Sequence, residues 1–217
     1  GLKGAIRSQA ADDGCAEAIF GPETKNASEF AGAVSFAEAR TLLFPVRSLM
    51  GVFVWVTSPH MLAQLARDAW NAGVLDEATG QALQIEALNE SKALVGERSE
   101  AALQNGELML EEFTFTAQPD PRVGTIAVWL AANALSAGDE YTYWRNHLPT
   151  RLVVLSENSF RDFVLYSTEV VTRVRLETAK KTVARGALWV EERLPAESLL
   201  MSVVTAQKLR KADYEGW

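Results

Sequence analysis

Hydrophobic positions along the chain fall into short blocks whose period switches between strand-like and helical. In "AGAVSFAEARTLLFPV", Val34 and Phe36 alternate with small residues, which predicts a strand from Ala33 to Leu43 that ends at Pro45. The run "GVFVWVTS" predicts a strand buried on both faces. Helical spacing marks "LKGAIRSQAA" and the short "GCAEAIFGPE", stopped by Gly21 and Pro22. Ser58 ahead of Pro59 predicts a capped helix through "PHMLAQLARDAWNAG". From Leu75 to Gly106 no period holds, and the stretch reads as an insertion. "GELMLEEFTFTAQP" predicts one strand bulged at its acidic pair, and "PRVGTIAVWLAANAL" a helix. "RLVVLS" predicts a buried strand, and "SENSFRDFVLYS" a helix capped by Ser156. After a hairpin come a strand in "ESLLMSVVTA" and a basic helical start at "QKLRKAD". Strands alternating with helices, plus one hairpin, predict an α+β fold with helices covering an antiparallel or mixed sheet. A ferredoxin-type split β-α-β arrangement connects these elements economically.

The hairpin "VTRVRLETAKKTVARGALWVEE", residues 171–192, carries the most pointed pattern. On its first arm Val170, Thr172, Val174 and Leu176 share one face, while Val171, Arg173 and Arg175 share the other. Lys180, Lys181 and Arg185 crowd the turn, and Trp189 sits on the second arm. A two-stranded ribbon with no core behind it is marginal in water, so its apolar face predicts a partner or ligand. Basic residues interleaved with apolar and aromatic ones suit a phosphate backbone and a stacked or wedged base. An edge hairpin guarded against aggregation by lysines satisfies the same pattern.

Composition changes this picture in two ways. The chain of 217 residues has a formal charge of −7, with 48% hydrophobic residues, which fits one folded domain and argues against disorder. Its bases are nevertheless clustered, at Lys3 and Arg7, Arg40 and Arg47, the hairpin, and Lys208 to Lys211, and local charge matters more than the sum. A single cysteine, Cys15, with only His60 and His147, excludes a soft-ligand metal cluster and fits a reducing, cytoplasmic setting. No apolar run reaches the roughly 18 residues of a membrane helix, so no membrane partner is expected. The absence of an initiator methionine and of a terminus signal after "DYEGW" reads as an excerpt of a longer protein.

Candidate chemistry is sparse. There is no phosphate-cradling glycine loop, and His60 behind Ser58 and Pro59 reads as part of a helix entry. The pairs Asp12–Asp13 and Glu111–Glu112 have the hardness for a divalent cation but read as solvated surface. Lys3 and Arg7, one turn apart at a helix start, suit phosphates or a solvated face. Arg47 and Ser48 sit in a tight connection between two apolar strands, a placement for an anion or for an internal carboxylate.

The stretches "GLKGAIR", "IFGPE", "AGAVSFAEARTLLFPVRSLMGVFVWVT", "LVVLSENSFRDFVLYSTEVVTRVRL" and "GALWVEERLPAESLL" resemble, in this order, the backbone subunit of type III-B CRISPR (Cmr) RNA-guided effector complexes, of the RAMP superfamily. The resemblance implies a modified ferredoxin-like (RRM-type) RAMP fold with a helical insertion and a protruding β-hairpin thumb. It implies a single RAMP-type domain over 1–217 that is cut at both ends, an insertion at 59–106 and a thumb at 168–193. Copies would stack head to tail along a guide (CRISPR) RNA beside other Cmr subunits, each thumb interrupting the guide–target duplex. The RNA-binding residues it implies are Lys3, Arg7, Arg47, Ser48, Thr168, Val171, Thr172, Arg173, Arg175 and Trp189. Target-RNA cleavage, with a divalent metal ion such as magnesium, would depend on an aspartate ahead of the first helix, so no catalytic residue falls in this chain. The chain departs from the family at Met50, where a lysine is usual, and lacks the glycine-rich segment expected near the C-terminus. A non-cleaving structural paralogue, and a ferredoxin-like protein-interaction module without RNA, are the alternatives.

Overall fold

The computed structural model describes residues 2–10, 13–176 and 183–210. They form two compact units, one from residues 1–40 with 201–217 and one from Thr41–Leu200. In the first unit lie α1 (Leu2–Arg7), α2 (Asp13–Phe20), a short 3-10 turn (Thr24–Asn26) and β1 (Val34–Phe36). β1 pairs antiparallel with β11 (Val204–Ala206), Val34 opposite Ala206. Phe20 stacks on Phe36 with ring centroids 6.5 Å apart. A Cβ built at Gly32 would lie 2.4 Å from the Phe20 carbonyl carbon, a backbone atom with no room to give. Gly32→Ala is therefore expected to cost about 1–3 kcal/mol of stability, as overpacking does, measured by denaturant unfolding.

The second unit is built on a mixed sheet of β2 (Arg40–Ser48), β3 (Val52–Thr57), β4 (Lys92–Val95), β5 (Glu107–Leu110), β6 (Phe113–Pro119), β7 (Leu152–Val154) and β10 (Leu199–Met201). The strand order is β10-β2-β3-β7-β4-β6-β5, and a further pair, Ser48 opposite Leu110, brings β5 back against β2. The sheet thus curls round on itself. Phe44, Val46, Val54, Val56, Leu108, Leu110 and Val153 face inward together with Phe160 and Phe163 of α7 (Glu157–Tyr166). β3 and β7 run parallel, as do β4 and β6, while the other registered pairs of this sheet are antiparallel.

Helices are fixed at their starts. The Ser58 hydroxyl caps α3 (Pro59–Asn71) and donates to Glu157 Oε2 at 2.8 Å. Glu157 Oε1 accepts the His60 N–H, so one carboxylate ties the entries of α3 and α7 together. The Ser58 cap is fully buried; Ser58→Ala removes the cap and strands part of Glu157, and is expected to cost about 1–2 kcal/mol in thermal or denaturant unfolding. Asp120 caps α5 (Pro121–Asn133), and the Arg122 side chain bound to it holds its carboxyl below the usual range. A lowered folded value means this contribution is present at neutral pH and fades only as acid protonates the carboxylate. α5 lies against α6 (Thr142–Arg151), which leads directly into β7.

Several expectations are corrected. β2 runs through Pro45 to Ser48 instead of stopping, and the expected single strand begins as the separate β1. β10, the other neighbour of β2, is only three residues long, so most of that edge asks for no ladder hydrogen bond and accommodates a proline. "GELMLEEFTFTAQP" is a hairpin: Glu111, at φ 50°, and Glu112 form the loop between Leu110 and its partner Phe113. The segment 59–106 holds α3, α4 (Glu77–Ala82) and also β4, which sits between β7 and β6 in the sheet. "ESLLMSVVTA" divides into β10 and β11. Residues 207–210 take no regular structure, and the rest of the expected basic helix lies outside the described residues.

Candidate nucleic-acid interface

The hairpin forms as β8 (Glu169–Leu176) paired with β9 (Val183–Arg193), and these two strands pair only with each other among the described residues. Its turn, with Lys180 and Lys181, lies outside the described residues. The register sets Arg173 directly opposite Trp189 and Val171 opposite Glu191, which places all four on one face. Glu191 joins them: it accepts from the Trp189 indole N–H at 3.0 Å and from Arg173 Nε at 3.2 Å, and it contacts Arg193. The indole hydrogen bond, then Arg193 and Arg173, hold the Glu191 carboxyl below the ordinary glutamate range. The cluster should therefore persist below the pH at which a free glutamate protonates. An NMR titration should show the Trp189 indole N–H resonance moving only at lower pH than that.

The opposite face is apolar and open, with Val170, Leu188 and Val190 each more than 60% exposed beside Val174 and Thr172. Thr168, just before β8, donates to Glu192 Oε1 at 2.6 Å. Arg175 is exposed.

At the base of the hairpin lies a groove of about 1090 Å³. Its walls are the outer end of β2 and β3 (Pro45, Arg47, Phe53), the β5–β6 loop, the last turns of α7, and Thr168 to Val171. Phe113 and Phe115 pack around Phe163 in its floor, the first edge-on at 5.8 Å. Among the described residues lining it, Arg47 is the one cation, while Glu111, Glu112, Asp162 and Glu169 are acidic. Backbone bonds lock Arg47 beside the acidic loop, the Glu111 N–H donating to the Arg47 carbonyl at 2.9 Å. Asp162 is already paired with Arg161.

The sequence-predicted residues therefore divide. Arg47, Thr168 and Val171 line one groove; Thr172 lies on the other hairpin face, and Arg173 and Trp189 sit higher on the Val171 face. The Ser48 hydroxyl is buried without a hydrogen-bond partner. Lys3 and Arg7 belong to the other unit. Lys3 is exposed, whereas Arg7 donates to the Gly21 carbonyl at 2.7 Å and so ties α1 to the end of α2. α1 is six residues long, too short for a strong dipole at its start. Sequence reasoning missed Glu191, whose role shows only once the strand register is known. Among the described residues no group of three or more His, Cys, Asp or Glu side chains is placed to hold a metal ion, and Glu111–Glu112 is a hairpin loop. No helix among them is long and apolar enough to cross a membrane.

Comparison with known proteins gives this geometry a family. The chain is 35% identical over 208 residues to the CRISPR system Cmr endoribonuclease Cmr4 of Pyrococcus furiosus, covering 94% of this chain and 66% of that protein. It thus spans slightly under two thirds of that relative's length. The crystal structure of oligomeric Cmr4 from Pyrococcus furiosus superposes with a TM-score of 0.70 at 30% identity, over 95% of this chain and 69% of that one. A type III-B Cmr-beta complex bound to cognate target RNA, solved by cryo-EM, contains a chain of the same fold, with a TM-score of 0.66 at 20% identity over 96% of this chain and 70% of that one. The sequence model of the RAMP superfamily matches residues 1–215, and the chain belongs to that superfamily.

Proposed function

We propose that this chain is the RNA-binding part of a type III-B backbone subunit, which lies along a guide RNA and stacks with further copies of itself and with other Cmr subunits. The observation that carries the reading is the groove at the hairpin base, which Arg47, Thr168 and Val171 line together. The curled sheet with its parallel β3–β7 unit serves as the ferredoxin-like palm, segment 59–106 with its helices as the insertion, and β8–β9 as the thumb at 168–193. Head-to-tail stacking is a heterologous contact that does not close, so a filament grows to a length the guide can set. The exposed Val170, Val174, Leu188 and Val190 then have a surface to cover, and Trp189 and Arg173 face the nucleic acid. Contacts go to phosphate and ribose, because a backbone subunit accepts any guide sequence.

Cleavage of the guide-paired target, with a divalent metal ion, belongs in this reading to the protein as a whole, and none of the described side chains is assigned to it. Arg47→Ala and Lys3→Ala should each weaken binding of a guide-like single strand equally for unrelated sequences. Each should lower the salt slope by roughly 0.7. Wild-type affinity and slope for both variants would remove these residues from the interface.

A further inference from the structure

Helix α6 ends beside the β2–β3 turn, and Tyr143, His147 and Arg151 recur along it every four residues, on one helix face. The Tyr143 and His147 rings are stacked, with centroids 3.9 Å and planes 25° apart. His147 Nδ1 lies 2.7 Å from the Tyr143 carbonyl. A carbonyl only accepts, so Nδ1 donates to it, and Nε2 is left for another partner. Tyr143 is about half exposed, so the stack reaches solvent.

Arg151 continues the line to the turn. A Cβ at Gly51 would lie 3.1 Å from Arg151 Nε and 3.3 Å from Cζ, so the guanidinium rests on a backbone that only glycine, here at φ 75°, leaves open. Arg151 Nε is buried without a hydrogen-bond partner, and the guanidinium has no carboxylate partner among the described residues. The Ser48 hydroxyl, at the start of the same turn, is the second buried polar group left without a partner there. Next to Gly51, the β-branched Val52 is held at φ 72° while 81% exposed, an uncommon conformation for such a residue. A half-buried guanidinium that meets no internal carboxylate keeps its planar fork open to an anion from another molecule.

We propose that Tyr143, His147 and Arg151 form a further contact line for single-stranded RNA. The guanidinium of Arg151 takes a phosphate at the β2–β3 turn, and the stacked rings take the adjoining nucleotide. His147 Nε2 hydrogen-bonds a ribose 2′-hydroxyl. The inference rests on the RNA-binding reading and extends it to a helix which that reading does not use. A carboxylate of a protein partner would satisfy Arg151 but would leave the ring stack beside it without a role, whereas a nucleotide uses both.

The test uses the intact protein and a fluorescent single-stranded RNA of unrelated sequence, with Arg47→Ala as reference. Arg151→Gln keeps the stem over Gly51 and removes the charge; it should weaken binding about tenfold and lower the salt slope by roughly 0.7. Arg151→Lys should recover only part, because the planar fork is lost. In the wild type, RNA carrying 4-thiouridine should cross-link to Tyr143 or His147, a readout that does not depend on the variants folding. Wild-type binding by Arg151→Gln with no cross-link in α6, while Arg47→Ala is impaired, overturns this inference and leaves the groove reading standing. Wild-type binding by both variants overturns both readings. Loss of self-association by Arg151→Gln with RNA affinity intact assigns the site to a protein partner and also overturns the inference.

Discussion

Trp55→Ala is expected to destabilise the second unit by about 3–5 kcal/mol, the range for truncating a buried large aromatic side chain. Trp55 is 2% exposed, lies opposite Pro45 across β2 and β3, and meets Phe53 edge-on at 4.8 Å. It also has a polar task. Its indole N–H donates to the Glu197 carbonyl at 2.9 Å, in the segment between β9 and β10. Glu197 holds a left-handed φ of 71°, so that bond helps to fix a conformation a glutamate does not favour. Trp55→Phe keeps most of the apolar burial and loses the bond, with an expected cost of about 1–2 kcal/mol. Denaturant unfolding reads both values. Amide exchange in residues 194–201 should quicken selectively in Trp55→Phe, because the exit of the hairpin is then less tightly held.

Arg47→Glu is expected to weaken RNA binding about a hundredfold, more than removal of the charge alone, since charge-assisted contacts contribute roughly 1.5–3 kcal/mol each. The groove explains why. With Arg47 reversed, the described charged residues lining the groove are all acidic: Glu111, Glu112 and Glu169, which repel a phosphate, and Asp162, whose charge Arg161 offsets. The same arrangement predicts a partial rescue. Glu111→Gln with Glu112→Gln in the reversed background should recover part of the affinity at low salt and little at high salt, because exposed charges are screened there. Fluorescence titration over a salt series checks both outcomes.

Much of the fold was legible because long elements carry strong local signals. "VFVWVT" reads as a buried strand from its unbroken apolar run, and Ser58 and Ser156 mark helix starts by their capping chemistry. What failed was short or non-local. β4 has four residues, too few to show a period, and owes its place to pairing with β7 and β6. Pro45 reads as a stop, but it is tolerated because β10 is short, which depends on a strand some 150 positions away. The acidic pair Glu111–Glu112 gives no hairpin signal because neither residue is glycine or asparagine, although Glu111 takes a left-handed φ.

For the candidate site, the charged positions are legible in the sequence but their neighbours in space are not. In the sequence Arg47, Thr168 and Val171 are separate positions, and the fold puts them around one groove. The sequence shows Arg173 and Trp189 as a basic and an aromatic position on two arms, and the register gives them a common carboxylate in Glu191. Arg151 carried no signal at all: its significance arises from contact with Gly51, a hundred positions earlier.

The central claim is that this chain holds RNA by its backbone, whatever the sequence. The most direct measurement is equilibrium binding of the protein to two single-stranded RNAs of unrelated sequence across a salt series. Equal affinities for the two strands are expected, with a logarithmic salt slope of the same negative value, roughly 0.7 for each phosphate contacted. No binding at low salt, a slope near zero, or a strong preference for one strand would contradict it.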